Sequence, residues 1–152
     1  MEDKLMELKI SAAAVISVVG SFLGWRGILA LTWVFLMGLD YVTGSLAAIR
    51  AGAWSSARAR DGIWHKAGAM VVTAVAAITD GMMLLICGNI PMLNMEWPRL
   101  LLPLILAWYI LTELGSILEN AVGLGANPPA WLVRALEVGK KAVEEAGEGT
   151  AG

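Results

Sequence analysis

Asp40, Asp80, Glu113, Glu119 and Asn120 all stand inside long apolar runs of this sequence. In such surroundings a carboxyl group can hold a proton, pair with a cation or accept hydrogen bonds. Leaving it bare and charged at mid-span costs about 2.5–3.5 kcal/mol on insertion scales. Groups of this kind are therefore expected to point at protein or water rather than hydrocarbon. Catalysis would need other company. Ser55 and Ser56 have no sequence context for nucleophilic attack, His65 lies in a basic stretch, and the single Cys87 sits in an apolar run. One cysteine excludes an intrachain disulfide and gives no metal-ligand spacing. There is no phosphate loop, and nothing implies a cofactor or a metal. The expectation is a protein that is not an enzyme.

The stretch that concentrates these groups is Leu100–Leu124, LLLPLILAWYILTELGSILENAVGL. At 100° per residue Glu113 and Asn120 lie about 20° apart, and Tyr109, Thr112, Ser116 and Glu119 share an arc of about 120° with them. The rest of its circumference is Leu, Ile and Ala. Such a helix is stable in lipid only when its polar arc meets other helices, a second copy of the chain, or water.

Composition sets the class. Of the 152 residues, 58% are hydrophobic and 16% charged, with a mean hydropathy of +0.69. A soluble domain of this length could not hide so much apolar surface, so the chain is expected to be an all-α integral membrane protein. A net charge of −2 gives no reason to expect nucleic acid. Of seven Trp, Trp25, Trp54, Trp64, Trp97 and Trp131 fall near segment ends, where indole prefers the membrane–water interface.

Four spans are expected, near residues 10–25, 27–49, 67–88 and 100–123, within a membrane domain covering 10–125. Residues 1–9, MEDKLMELK, form a retained leader whose acidic residues do not suit a secretory signal. The first segment is short enough that a tilted or re-entrant course is also open. Its Gly20 and Gly24 make a GxxxG pair, a spacing that lets helix backbones approach closely and that also arises by chance in Gly-rich apolar runs. Trp25-Arg26-Gly27 reads as a tight turn. In the second segment Asp40 shares a face with Thr43, Gly44 and Ala47. In the third, seven Val, Leu and Ile residues contribute about −3 kcal/mol together, which only just offsets Asp80.

Between the second and third segments, residues 50–66 read as a polar loop with Arg50, Arg58, Arg60 and Lys66 against Asp61. The cluster would suit lipid headgroups, but the positive-inside bias of a cytoplasmic loop explains it more simply. Past Gly123 and Gly125, Asn127-Pro128 suggests a helix cap, and residues 126–146 carry the periodicity of an amphipathic helix lying on the membrane surface or against the loop. Residues 147–152 are expected to be disordered. Lys and Arg alternate along the connections as more, fewer, more, fewer, more, which fits both termini in the cytoplasm.

Three stretches in order resemble one known family. LDYVTGSLAAIRAG (39–52) looks like its Asp-Tyr-x-Thr-Gly helix, and SSARARDGIWHKAG (55–68) like its Ser-rich basic connection. TELGSILENAVGLGANPPAWLVRAL (112–136) is similar to its Glu-x-x-Ser-Ile-Leu-Glu-Asn helix, Gly turn, Pro-Pro and final helix. These are marks of the toxin-secretion/phage-lysis type of holin. Thr112 stands where the family often has Asn, and Ala59 where many members have Gly.

The resemblance implies a homo-oligomeric protein of the bacterial (host) cytoplasmic membrane. It would accumulate there and form timed lesions that release a murein hydrolase or a toxin, without direct contact with that cargo being implied. Asp40, Tyr41, Thr43, Gly44, Glu113, Ser116, Glu119 and Asn120 occupy its motif positions. With Gly20, Gly24 and Asp80 they are the candidates for helix packing, self-association or lining a lesion. Each carboxylate could equally be ordinary interhelical glue. An antiholin or scaffold that inserts without opening a hole, and a small proton-coupled carrier or channel, are the alternatives.

Overall fold

The computed structural model describes the backbone of residues 2–93 and 95–150, and the side chains of residue 6 and of residues 24–149 apart from 91 and 94. Four α-helices account for most of it: α1 (Glu2–Arg50), α2 (Ser56–Asn89), α3 (Leu101–Gly123) and α4 (Ala130–Thr150), with a 3₁₀ turn at Pro91–Leu93. No strand occurs among the described residues.

The helix ends follow from local chemistry. Within α1, Gly24 adopts φ 62°, ψ −175°, a conformation outside the helical region that glycine tolerates and other residues do not. The chain therefore breaks at Gly24, and the expected turn at Trp25-Arg26-Gly27 is instead the first turn of the helix that follows. Gly20 and Gly24 consequently do not continue along one helix face, which removes the GxxxG reading for Gly24. The surroundings of Gly20 lie outside the described residues, as do the side chains of residues 10–23 of the expected first span.

Two further glycines stop helices in the same way. After α1, Gly52 (φ 65°) sits where its N–H reaches Ile49 O and that of Ala53 reaches Ala48 O. After α3, Gly125 (φ 95°) bonds Val122 O and Ala126 bonds Ala121 O. Both are Schellman closures, in which a left-handed residue lets the last carbonyls find donors.

The connection between α1 and α2 is shorter than hydropathy suggests. Ser55 is extended and its Oγ accepts from Arg58 N (3.3 Å), so α2 begins at Ser56 and Arg58, Arg60 and Lys66 are all helical. At the other end, α4 starts at Ala130, after Asn127-Pro128-Pro129, and runs on through Gly147 to Thr150 rather than ending near residue 146.

Among the described residues three helices are long and apolar enough to cross a membrane: Gly24–Arg50, Ser56–Asn89 and Leu101–Gly123. Direction can be read from the contacts. The second part of α1 runs parallel to α3, with Trp33 stacked on Tyr109, Gly44 against Asn120 and Ala47 against Gly123. α2 runs antiparallel to both: Lys66 reaches Glu113, and Asp80 reaches Leu101 and Leu102. α3, the central helix, is covered by α1, α2 and α4, while α1 and α2 barely touch each other.

The fully packed interior is small, centred on Trp33, Met37 and Leu106. Large apolar side chains such as Phe35 (68% exposed), Val71 and Ile78 face outward. In water this surface would aggregate; in a bilayer it is the lipid-facing side.

Helix α4 is the departure at the level of packing. Expected on the membrane surface or against the loop, it folds back antiparallel along α3. Gly139 admits the approach, with the Leu111 methyls 3.5 Å from where a Cβ would stand. The Trp108 indole N–H donates to Glu144 Oε1 (2.9 Å), and Lys140 Nζ lies 4.5 Å from the Trp108 ring centroid.

Candidate functional site: an intramembrane ion-pair network

The polar arc of α3 and the Asp40 face of α1 meet, and the cation between them comes from α2. Lys66 Nζ donates to Asp40 Oδ2 at 3.0 Å and to Glu113 Oε2 at 2.7 Å. All three side chains are largely withdrawn from the surface, at 18%, 20% and 11% exposed. Asn120 completes the network: its Nδ2 donates to Asp40 Oδ1 (2.9 Å) and to Thr43 Oγ1 (3.2 Å). Thr43 in turn donates to Leu39 O, the usual way a hydroxyl is satisfied within a helix.

Each part is positioned by its own element. Glu113 is twelve residues into α3, about 18 Å along its axis, so the network sits near mid-span. Gly44 lets α1 close on Asn120, whose Nδ2 lies 3.3 Å from where a Cβ would stand. At the end of the seam Arg50 Nη1 donates to Leu124 O, and the guanidinium lies against Gly125. Intramembrane charges that pair in this way remain affordable in a medium that offers no other partners.

Above the network a cleft of about 370 Å³ opens toward the α1–α2 connection. Asp40, Tyr41, Gly44, Lys66, Ser116, Glu119 and Asn120 line it, with Arg58 and Trp54 nearer its mouth. The structure thus brings together Asp40, Thr43, Gly44 and Asn120 in direct contact and joins Glu113 to them through Lys66, with Tyr41, Ser116 and Glu119 on the cleft wall.

Asp80 belongs elsewhere. Its Oδ1 accepts from Trp97 Nε1 (2.8 Å) and Leu101 N (3.3 Å), and its Oδ2 from Leu102 N (2.9 Å). Leu100 provides no side-chain cap for α3. Asp80 therefore caps the N-terminus of α3 from a neighbouring helix, where a carboxylate also meets the positive end of the helix dipole. Of the basic residues, Lys66 is drawn into the network, Arg50 caps α3 and Arg58 donates to Ala53 O. Arg60 has no side-chain hydrogen bond or ion pair among the described residues.

Hydropathy places Lys66 in the loop and so does not point to it as the shared partner. The signal was available: four intramembrane carboxylates and no cation within the spans call for the nearest lysine or arginine at a span edge. No cluster of His, Cys, Asp and Glu suited to a metal occurs among the described residues.

Comparison with known families agrees with this architecture. The model of the bacteriophage holin family matches residues 17–141. The chain belongs to the bacteriophage holin family. It is also 32% identical over 131 residues to an uncharacterized protein of Halalkalibacterium halodurans, covering 86% of this chain and 92% of that one. No solved structure matches. The match to the holin family takes in the whole ion-pair network, the Asp80 cap and most of α4.

Proposed function

We propose that this holin-family protein accumulates in the bacterial cytoplasmic membrane, self-associates, and opens lesions through which a murein hydrolase reaches the cell wall, or a toxin leaves the cell. The observation that carries this reading is the Asp40–Lys66–Glu113 network inside a match to the holin family. In a dispersed protomer the carboxylates are held inward by one lysine and one asparagine. In a dense assembly the same groups would turn to water, where charged side chains need no such partners. Gly44 and Ala47 supply the close contact of α1 with α3 inside the protomer, and an opening that requires several protomers to assemble is steeply dependent on concentration. The Arg50–Arg60 end of the bundle is assigned to the cytoplasm on its excess of positive charge.

The test is inducible expression in a bacterium, following membrane potential and culture density with and without a cytosolic murein hydrolase. The expected result is a delayed, abrupt loss of potential, with lysis only when the hydrolase is present. Steady growth with the protein in the membrane would point to an antiholin or scaffold. A second reading, a proton-coupled carrier, draws on the cleft that leads from the α1–α2 connection to Asp40 and Lys66. A defined single-channel conductance or a saturable substrate would favour it.

A further inference from the structure

The gap between α1 and α2 has two parts. Toward the α1–α2 connection it is the polar cleft already described. Beyond Tyr41 and Lys66, which line both parts, it continues as an apolar groove of about 460 Å³. That groove is walled by Val34, Met37 and Gly38 of α1 and by Ile63, Ala67 and Met70 of α2. It follows both helices away from the connection for seven residues, from 41 to 34 and from 63 to 70, about 10 Å.

In the polar part, two groups of opposite charge are left uncommitted. Arg58 uses its side chain once among the described residues, on Ala53 O, although a guanidinium has five N–H donors. Glu119 is exposed and has no hydrogen bond or ion pair among the described residues. The two line one cleft without meeting each other, together with the hydroxyls of Ser45, Ser116 and Tyr41.

We propose that this gap holds one zwitterionic phospholipid with a primary ammonium headgroup, of the phosphatidylethanolamine type. Its phosphate is taken by Arg58, its ammonium by Glu119, and an acyl chain lies in the groove beside Gly38. Charge complementarity selects the headgroup: an anionic phosphatidylglycerol would satisfy Arg58 but leave Glu119 facing hydroxyls. The continuity of the apolar groove selects a lipid over a free zwitterion. The order along the gap is also that of a lipid, with the polar groups at the connection end and the apolar groove running inward from them. Such an occupant explains how α1 and α2, though joined by five residues, stay apart along their lengths without exposing an empty gap to the bilayer.

The experiment uses the full chain reconstituted in vesicles of equal phosphatidylethanolamine and phosphatidylglycerol, the two lipids distinguished by isotope, followed by native mass spectrometry of the released protein. One phosphatidylethanolamine is expected to be retained in at least fivefold preference. Glu119→Gln should bring the preference to near parity, and Arg58→Gln should lower retention of both lipids. Gly38→Leu should reduce retention without touching the headgroup residues, since nothing lies within 4 Å of a Cβ built there. Equal retention of the two lipids, unmoved by Arg58→Gln and Glu119→Gln, would overturn the proposal. So would a photo-crosslinker at Ala67 that captures a second copy of the chain instead of lipid. The readout is independent of whether the protein opens lesions.

Discussion

Replacing Lys66 with Met removes the cation that Asp40 and Glu113 share. The two carboxyl groups then lose bonds of 3.0 and 2.7 Å at positions mostly closed to solvent. Asp40 keeps its bond from Asn120 at 2.9 Å, but Glu113 has no other partner among the described residues. Breaking a buried pair by deleting one member costs about 3–5 kcal/mol, because a charge is left uncompensated. Lys66→Met is expected to lose that much stability. Glu113→Leu by itself should cost less, since Lys66 keeps Asp40. The double variant, which removes cation and uncompensated acid together, should recover much of the loss, as apolar replacement of whole buried pairs commonly does. The departure from additivity should reach the upper part of the range of about 0.5–3 kcal/mol seen for residues in contact. The assay is reversible denaturant unfolding of the purified protein in mixed micelles. A Lys66→Met protein within about 0.5 kcal/mol of the parent, or strictly additive effects, would refute the network as a stabilising unit.

Other predictions follow from individual contacts. Asp80→Ala should uncap α3 and release the Trp97 indole, at a cost of about 1–2 kcal/mol, read as faster proteolysis between residues 90 and 100 and a lower unfolding midpoint. Gly44→Val should push Asn120 off Asp40 and destabilise by about 1–3 kcal/mol, whereas Gly38→Ala, with open space around it, should be neutral or up to about 1 kcal/mol stabilising in the same assay. Trp33→Phe keeps a ring against Tyr109 and removes a buried indole N–H that has no partner among the described residues, which offsets much of the volume lost from the core, so a change within about 1 kcal/mol is expected from thermal unfolding. In cells, Asp40→Asn and Glu113→Gln should shift the onset of lysis; unchanged timing and assembly would take these groups out of the opening step.

How much of this was legible beforehand differs from element to element. The apolar runs around Asp40, Asp80 and Glu113 announce membrane helices, because long uninterrupted hydrophobicity has no other stable home. Helical periodicity also placed Glu113 and Asn120 on one arc of α3, and both are found on the seam with α1 and α2. Gly125 announces a helix end and supplies the left-handed residue that closes it. Gly24, read as a packing glycine, breaks the helix instead, because composition does not reveal which of glycine's two uses a fold will take.

Partners were the part that periodicity left open. A helical wheel states which face is polar and is silent on what meets it. Lys66 looked like loop because hydropathy counts a lysine as the edge of a span, while the cap at Ser55 starts α2 ten residues earlier. Asp80 looked like one more interhelical acid, and only the return of the chain through Trp97 and Arg99 brings the amide groups of α3 onto it. The side of α3 that α4 covers was likewise decided in three dimensions, by Gly139 admitting Leu111 and by Trp108 reaching Glu144. Local sequence determined the helices and the faces they must hide. The fold determined which charges meet, because a medium without water makes each polar group dependent on whatever the neighbouring helices bring within reach.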